Sequence, residues 1–275
     1  MTARCDPATT SAVYAVGADA YDDAWSPVIL PPALAVVRRL DLAEASCVLD
    51  IGAGTGALTP AIRAAAPHAT IISIDPAWEM LRVARERRKA TPALADAAAL
   101  AVAAERVDAV LLAYVLFMLA EPGQGLREAV RVLRPGGCVG TVTWGLEEPP
   151  LAAKTWDATL EEFGVPALPA HSNHAGLDTA EGVETLLTDA DLVPREIWYE
   201  AIDYTFAPDD FWRLRTHHGV NGVRLARLDH TRRAHLLAEL RVRLSALEPM
   251  DYRFGGTLVC SVSTKPMEDN DEGEG

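Results

Sequence analysis

A short apolar run, Val48-Leu49-Asp50-Ile51, ends in Gly52-Ala53-Gly54-Thr55-Gly56 and passes at once into a helix-like stretch over Leu58–Ala66. Three glycines at a strand-to-helix turn constrain this chain more than any other feature. Such a turn needs backbone angles that side chains disfavour, and it lets a ligand approach the main chain closely. Around it, apolar runs alternate with amphipathic stretches. Strands are expected at Ser46–Ile51, at Thr70–Asp75, in a short run ending at Asp96, at Val107–Ala113 and at Cys138–Trp144. Helices are expected at Trp78–Lys89 and Gln124–Leu133, the latter stopped by Arg134-Pro135-Gly136-Gly137. Alternation at this spacing implies an α/β fold with a parallel, doubly wound sheet and right-handed crossovers.

The remaining chain surrounds that core. Residues 1–45 read as an N-terminal helical lid carrying Tyr14, Tyr21 and Trp25, and residues 46–145 as the core itself. A Pro-rich insert over 146–178 holds one helix (Ala152–Phe163) and the loop His171-Ser172-Asn173-His174. The core resumes over 179–206 with a helix capped at Thr179 and a strand across Glu196–Tyr204. A helical cap insert fills 207–250, a last strand (Arg253–Val262) lies within 251–265, and an acidic tail, expected to be disordered, follows over 266–275. Arg82, Arg85, Arg87 and Arg88 fall on the outer face of one helix, where a solvated surface is the simplest expectation.

Charge narrows the partners. Lys and Arg number 25 against 39 Asp and Glu, a formal charge of −14, and only Lys89, Lys154 and Lys265 are lysines. The tail from Met267 holds five acids and no base, so the rest remains acidic. That is a poor surface for tracking phosphates, and nucleic acid is not an expected partner. With 49% hydrophobic residues the chain can build a sizeable core. Cys5, Cys47, Cys138 and Cys260 are widely spaced with no CxxC pair, which reads as buried thiols, with neither a zinc site nor a disulfide framework. No apolar run is long enough to span a membrane, and no basic-then-apolar leader is visible. A cytoplasmic protein is expected, acting without membrane or metal.

The glycine loop alone leaves two ligands open. Gly52, Gly54 and Ala57 also satisfy the G-x-G-x-x-A spacing of dinucleotide folds, and Asp75 would accept from ribose hydroxyls in either case. Asp50 leans the other way. A carboxylate two residues before the first glycine opposes a diphosphate and suits a cofactor with positive charge, an ammonium or a sulfonium. Asp96-Ala97 closes the third strand, where a carboxylate can accept from an adenine amino group, and the Leu133–Gly137 turn precedes the fifth. Taken in order, these residues resemble the class I S-adenosylmethionine-dependent methyltransferases, from Val48 to about Trp144, with a weaker echo through Ala190-Asp191-Leu192 and the final strand.

The resemblance implies a Rossmann-like sheet of seven strands, the last antiparallel, with S-adenosylmethionine as cofactor and S-adenosylhomocysteine as product. It implies that Asp50, Gly52, Ala53, Gly54 and Gly56 hold the methionine moiety, with Tyr21 from the lid nearby. Asp75 takes the ribose; Pro76, Met80, Asp96 and Ala97 surround the adenine; Ala113 and Tyr114 lie beside the cofactor. Many small-molecule members carry a histidine where this chain has Phe117, so no catalytic histidine carries over there. Phe117 and Met118 suggest an apolar acceptor pocket, to which Tyr14, Trp25, His171 and His174 are further candidates. His217 and His218 are the candidate general bases, because imidazole titrates near neutrality and Thr216-His217-His218-Gly219 joins a helix end to a loop. His68, His230 and His235 are expected to face solvent.

Two inserts larger than the cofactor fold requires point to a cap over a small acceptor. The expected reaction is methyl transfer to an O, N or C atom of a small, fairly apolar metabolite, by a monomer or homodimer. The Arg-over-Lys bias fits a high-GC bacterial source, where many members of the resembled family tailor natural products. Three alternatives stand beside it: a cofactor-dependent enzyme of this fold that does not methylate, such as a cyclase; a non-catalytic relative; and a nicotinamide oxidoreductase.

Overall fold

A computed structural model describes residues 7–168 and 174–267; Cys5, His171 and the acidic tail beyond Met267 lie outside them. Three helices open the chain: α1 (Pro7–Ala15), α2 (Ala18–Ala24) and α3 (Ser26–Val37). The core follows as β1 (Cys47–Ile51), α4 (Thr59–Ala65), β2 (Thr70–Asp75), α5 (Trp78–Arg88), β3 (Thr91–Leu94), β4 (Val107–Ala113), α6 (Pro122–Val132) and β5 (Leu133–Glu148). Then come α7 (Leu151–Glu162), α8 (Ala180–Thr188), β6 (Val193–Thr205), α9 (Pro208–His217), α10 (Gly219–Ala226), α11 (His230–Ser245) and β7 (Arg253–Thr264).

The seven strands form one sheet in the order β3-β2-β1-β4-β5-β7-β6. Strands β1 to β5 pair in parallel, and β7 runs antiparallel to both β5 and β6. The order reverses between β1 and β4, which is where open α/β sheets place their ligands. Val48, Leu49, Val107, Val110, Leu112, Val139 and Val142 are all fully buried. Layers of helix on both faces explain why these strands read as continuous apolar runs rather than alternating ones.

Most boundaries fall within one or two residues of expectation. The Arg134–Gly137 turn does stop α6, but it is absorbed into β5 as an irregular bulge. Val107 pairs with Leu133, and the next paired residue, Ala109, faces Cys138. Gly136 takes a φ of +79° there, and the turn is pinned by main-chain bonds to Lys265. The third strand stops at Leu94, short of Asp96, which instead forms a single bridge to Ala99. Thr179 caps α8 as expected, its side chain accepting from the Gly182 amide.

The outer face of α5 departs from expectation. Arg82, Arg87 and Arg88 are tied to the lid rather than simply solvated. Arg82 reaches Asp19 at 2.6 Å, Arg87 reaches Asp19, Asp22 and Asp23 at 3.0, 2.7 and 2.6 Å, and Arg88 reaches Asp22 at 2.7 Å. Arg85 alone keeps a local role, over the ring of Trp78. Cys47, Cys138 and Cys260 are free thiols on β1, β5 and β7, the last two buried. Among the described residues no group of side chains is arranged to hold a metal, and no helix is long and apolar enough to cross a membrane. His68, His230 and His235 are exposed.

Candidate cofactor and acceptor site

A cavity of about 760 Å³ opens above the C-terminal ends of β1, β2 and β4, beneath α1–α3. Its size suits a ligand of several hundred daltons (pockets for such ligands run to about 300–1,000 Å³). The glycine loop forms one wall. Gly52 takes a φ of +65° and Gly54 one of +55°, in the left-handed region. At Gly52 there is no room either: an added Cβ would collide with Val115 Cγ2. Gly52→Ala is therefore expected to lose about 1–2 kcal/mol to backbone strain alone, with the clash in addition. Thermal melts and S-adenosylmethionine titration check it; a variant equal to wild type in both would remove Gly52 from the loop's design.

Gly56 behaves differently. It stands off the cavity wall, and its missing Cβ lets α5 close in, since an added Cβ would lie 2.9 Å from that of Ala84. Its place in the expected methionine contacts is corrected to helix packing. The other residues expected at the cofactor, from Tyr21 and Asp50 through Ala53, Asp75, Pro76, Met80, Asp96 and Ala97 to Ala113 and Tyr114, all line this one cavity.

Two carboxyl groups sit at the base of the cavity with little water. Asp50 is 2% exposed, and its Oδ2 has no hydrogen-bond partner. Burial, reinforced by the neighbouring Asp75 charge, pushes its pKa up to about 7. Asp75 is also raised, to about 6, by burial; this is opposed by the amides of Ala77 and Gly54, which donate to its two oxygens at 2.8 and 2.9 Å. Each oxygen retains accepting capacity for a further donor. A buried carboxyl with an unsatisfied oxygen, beside a second buried carboxyl at a cavity wall, is a costly arrangement in isolation. It fits a ligand that brings positive charge and hydroxyl donors, and it opposes a diphosphate.

The lid closes the opposite side. Tyr114, in the left-handed region at φ +63°, is held by its hydroxyl donating to the Ile29 carbonyl at 2.8 Å. Strain at a single non-glycine residue beside a cavity is what a positioned binding wall looks like. Trp25 lies between Trp144, Phe206 and Phe254. The Tyr14 hydroxyl points at Met118 Sδ, 4.0 Å away, and burial with the charges of Asp75 and Glu147 raises it to about 12, so it stays a neutral phenol. His174 stacks on Phe117 with ring centroids 4.9 Å apart. Tyr14, Trp25, Phe117, Met118 and His174 thus line the same cavity.

The expected bases do not meet there. Neither His217 nor His218 lines the cavity. His217 turns back on its own helix, Nδ1 lying 2.7 Å from Thr216 Oγ1. His218 packs behind Tyr14 and Tyr21, and its Nδ1 donates to the Val16 carbonyl at 2.8 Å. Burial pushes its pKa down to about 4, against the pull of hydrogen bonds to Val16 and Gly17. Its part is to support the two lid tyrosines. Sequence reasoning also passed over Trp144 and Glu147, which end β5 at the cavity. Their signal, an aromatic and an acid just past a run of buried strand residues, was present but not distinctive.

Fold and site together have the form of the cofactor-binding core of a class I S-adenosylmethionine-dependent methyltransferase. Residues 49–140 match the family model described as a methyltransferase domain. Among curated proteins the chain is similar to a ubiquinone/menaquinone biosynthesis C-methyltransferase of Syntrophotalea carbinolica, at 34% identity over 125 residues, 44% of this chain and 53% of that protein. It thus spans about half the length of that relative. Among solved structures, a putative methyltransferase from Bacillus halodurans aligns with a TM-score of 0.54 at 17% identity, over 85% of this chain and 99% of the other. A [4+2]-cyclase shares the fold as well, with a TM-score of 0.52 at 17% identity over 85% and 79%.

Proposed function

We propose that this chain transfers a methyl group from S-adenosylmethionine to an O, N or C atom of a small, fairly apolar metabolite. The observation that carries the reading is the buried Asp50 carboxyl beneath the glycine loop, one of its oxygens without a partner, next to Asp75 at the base of a cavity whose far wall is aromatic. Relatives named for quinone methylation support a neutral, apolar acceptor. The Arg-over-Lys bias supports a bacterial natural-product pathway, and the protein would act in the cytoplasm as a monomer or homodimer.

When bound, the cofactor supplies a methyl group already activated by its positively charged sulfur. The chain's own work is then to bind, orient and exclude water. Asp50 and the Gly52–Gly54 main chain would hold the amino-acid end, and Asp75 the ribose hydroxyls. Pro76, Met80, Asp96 and Ala97 would enclose the base. Tyr14, Phe117, Met118 and His174 would hold the acceptor against the reacting carbon, where fixed geometry contributes most to an in-line displacement. General-base help is needed only for an acceptor that gives up its proton reluctantly.

Asp75→Ala is expected to weaken S-adenosylmethionine binding by about 1.5–3 kcal/mol, the loss of hydrogen bonds to a charged group. Calorimetry on the full chain reads this, and an unchanged dissociation constant would take Asp75 out of the site. The shared fold of a [4+2]-cyclase favours one second reading, a reaction other than methylation. Mass spectrometry of products separates the two, because only methyl transfer adds a methyl mass to the acceptor while consuming the cofactor.

A further inference from the structure

The expected cofactor contacts leave two cavity carboxylates unused, Glu121 and Glu147, and only Glu147 acts on the lid tyrosine Tyr14. Glu147 lies on β5 just past the irregularity that follows Trp144, and it pairs with Gly256 of β7. It lines the cavity at the end occupied by Tyr14 and His174, and its charge acts on both. Glu147 is exposed at the cavity mouth, where the surrounding protein still raises its carboxyl and the neighbouring His174 offsets part of that rise. Flat apolar walls come from Phe117, which carries the stacked His174 ring, and from Trp144, which packs against Tyr114.

We infer that Glu147 is the specificity residue of the acceptor site: it accepts a hydrogen bond from a hydroxyl or amine on a flat, apolar acceptor and turns away acceptors that carry a carboxylate or phosphate. This rests on the proposed methyltransferase reading. The inference follows from charge and hydrogen-bond capacity. An ionised carboxylate can only accept. An acceptor with a donor group satisfies it, whereas an anion placed beside it loses water and gains repulsion. Asp96 and Glu121 are further acids on the cavity wall. Among the described lining residues His174 is the one side chain that can become positive, and it is already engaged by Phe117 and Glu147. Low-dielectric walls strengthen such a field over its value in water.

The test uses the full chain saturated with S-adenosylhomocysteine, whose own binding is measured first, and three probes of matched ring size: naphthol, naphthylmethylamine and naphthoate. Calorimetry near neutral pH is expected to show naphthoate at least tenfold weaker than both others. Glu147→Gln should remove at least tenfold from the amine alone, and Glu147→Lys should tighten naphthoate at least tenfold and so reverse the ranking. A role in folding alone cannot produce that reversal. Should Glu147→Lys fail to fold, the loss of amine preference in Glu147→Gln decides. Naphthoate binding as tightly as naphthol, a ranking insensitive to both substitutions, or no probe binding to the loaded chain would each overturn the inference and leave the cofactor reading standing. Failure of S-adenosylhomocysteine itself to bind would bring down that reading, and the inference with it.

Discussion

Replacing Asp50 with asparagine is expected to stabilise the unliganded protein at pH 8 by about 2–4 kcal/mol while weakening S-adenosylmethionine binding at least tenfold. The sign follows from linkage. Burial lifts the folded-state pKa of this carboxyl to about 7, whereas in the unfolded chain it ionises near its ordinary value of 3.8. Between those limits the native state holds a proton that the unfolded state has released, so stability falls as pH rises and the penalty is complete above pH 7. Each tenfold change in proton affinity is worth about 1.4 kcal/mol, and relaxation around the charge trims the sum. Asparagine carries no charge to bury. Asp75 titrates in the same window but is present in both proteins, so it largely cancels. Melting curves at pH 5 and pH 8 check this: the gap between variant and wild type should be several degrees at pH 8 and should shrink at pH 5. A variant less stable at pH 8, or a gap indifferent to pH, refutes the account. The affinity loss has its own cause, the removal of the charged partner for the cofactor's positive end.

The second large effect is expected at Asp22, far from any reacting atom. Its carboxyl is 3% exposed and lies between Arg87 and Arg88, at 2.7 Å from each, binding the lid helix α2 to α5. Arg88 also donates to the Thr55 carbonyl in the glycine loop, and Ser26 at the start of α3 meets Thr55 through their hydroxyls at 3.2 Å. Lid and loop are therefore one mechanical unit. Asp22→Ala leaves Arg88 without its carboxylate, and removing one partner of a buried pair costs about 3–5 kcal/mol. The low end is expected here, because both arginines keep some contact with water. Cofactor affinity should fall with stability, since Tyr21 precedes Asp22 on the same helix and lines the cavity. Burial works against the charged form of Asp22, but hydrogen bonds from Thr55, Arg88 and Arg87 outweigh it and hold the pKa below the usual range. Its contribution is therefore present above about pH 4 and lost on acidification below that. Denaturant melts at pH 7 and pH 3 read both effects; equal stability of variant and wild type at pH 7 would show that the clamp is ornamental.

Asp50 and Asp75 mark how much of the site is legible in the sequence. Asp50 stands two residues from a glycine turn, and Asp75 ends a strand whose isoleucines announce burial, so their place beside the loop was legible, and both line the cavity. The clamp could not be read this way. Arg82, Arg87 and Arg88 look solvated on a helical wheel, because their partners Asp19, Asp22 and Asp23 are more than sixty residues earlier in the chain. His217 and His218 attracted attention as titratable groups at a helix end, yet burial of His218 behind two tyrosines depresses the basicity that made it interesting.

The order of strands and helices, the glycine turn and the acids beside it are all local patterns. Periodicity and turn chemistry act over a few residues, so the chain specifies them by itself. Which helix the arginines grip, which histidine is silenced and which acid of β5 reaches the cavity depend on segments brought together across the sheet. Only the packed structure decides such matters, because burial and charge proximity are properties of the space around a side chain and not of its neighbours in sequence.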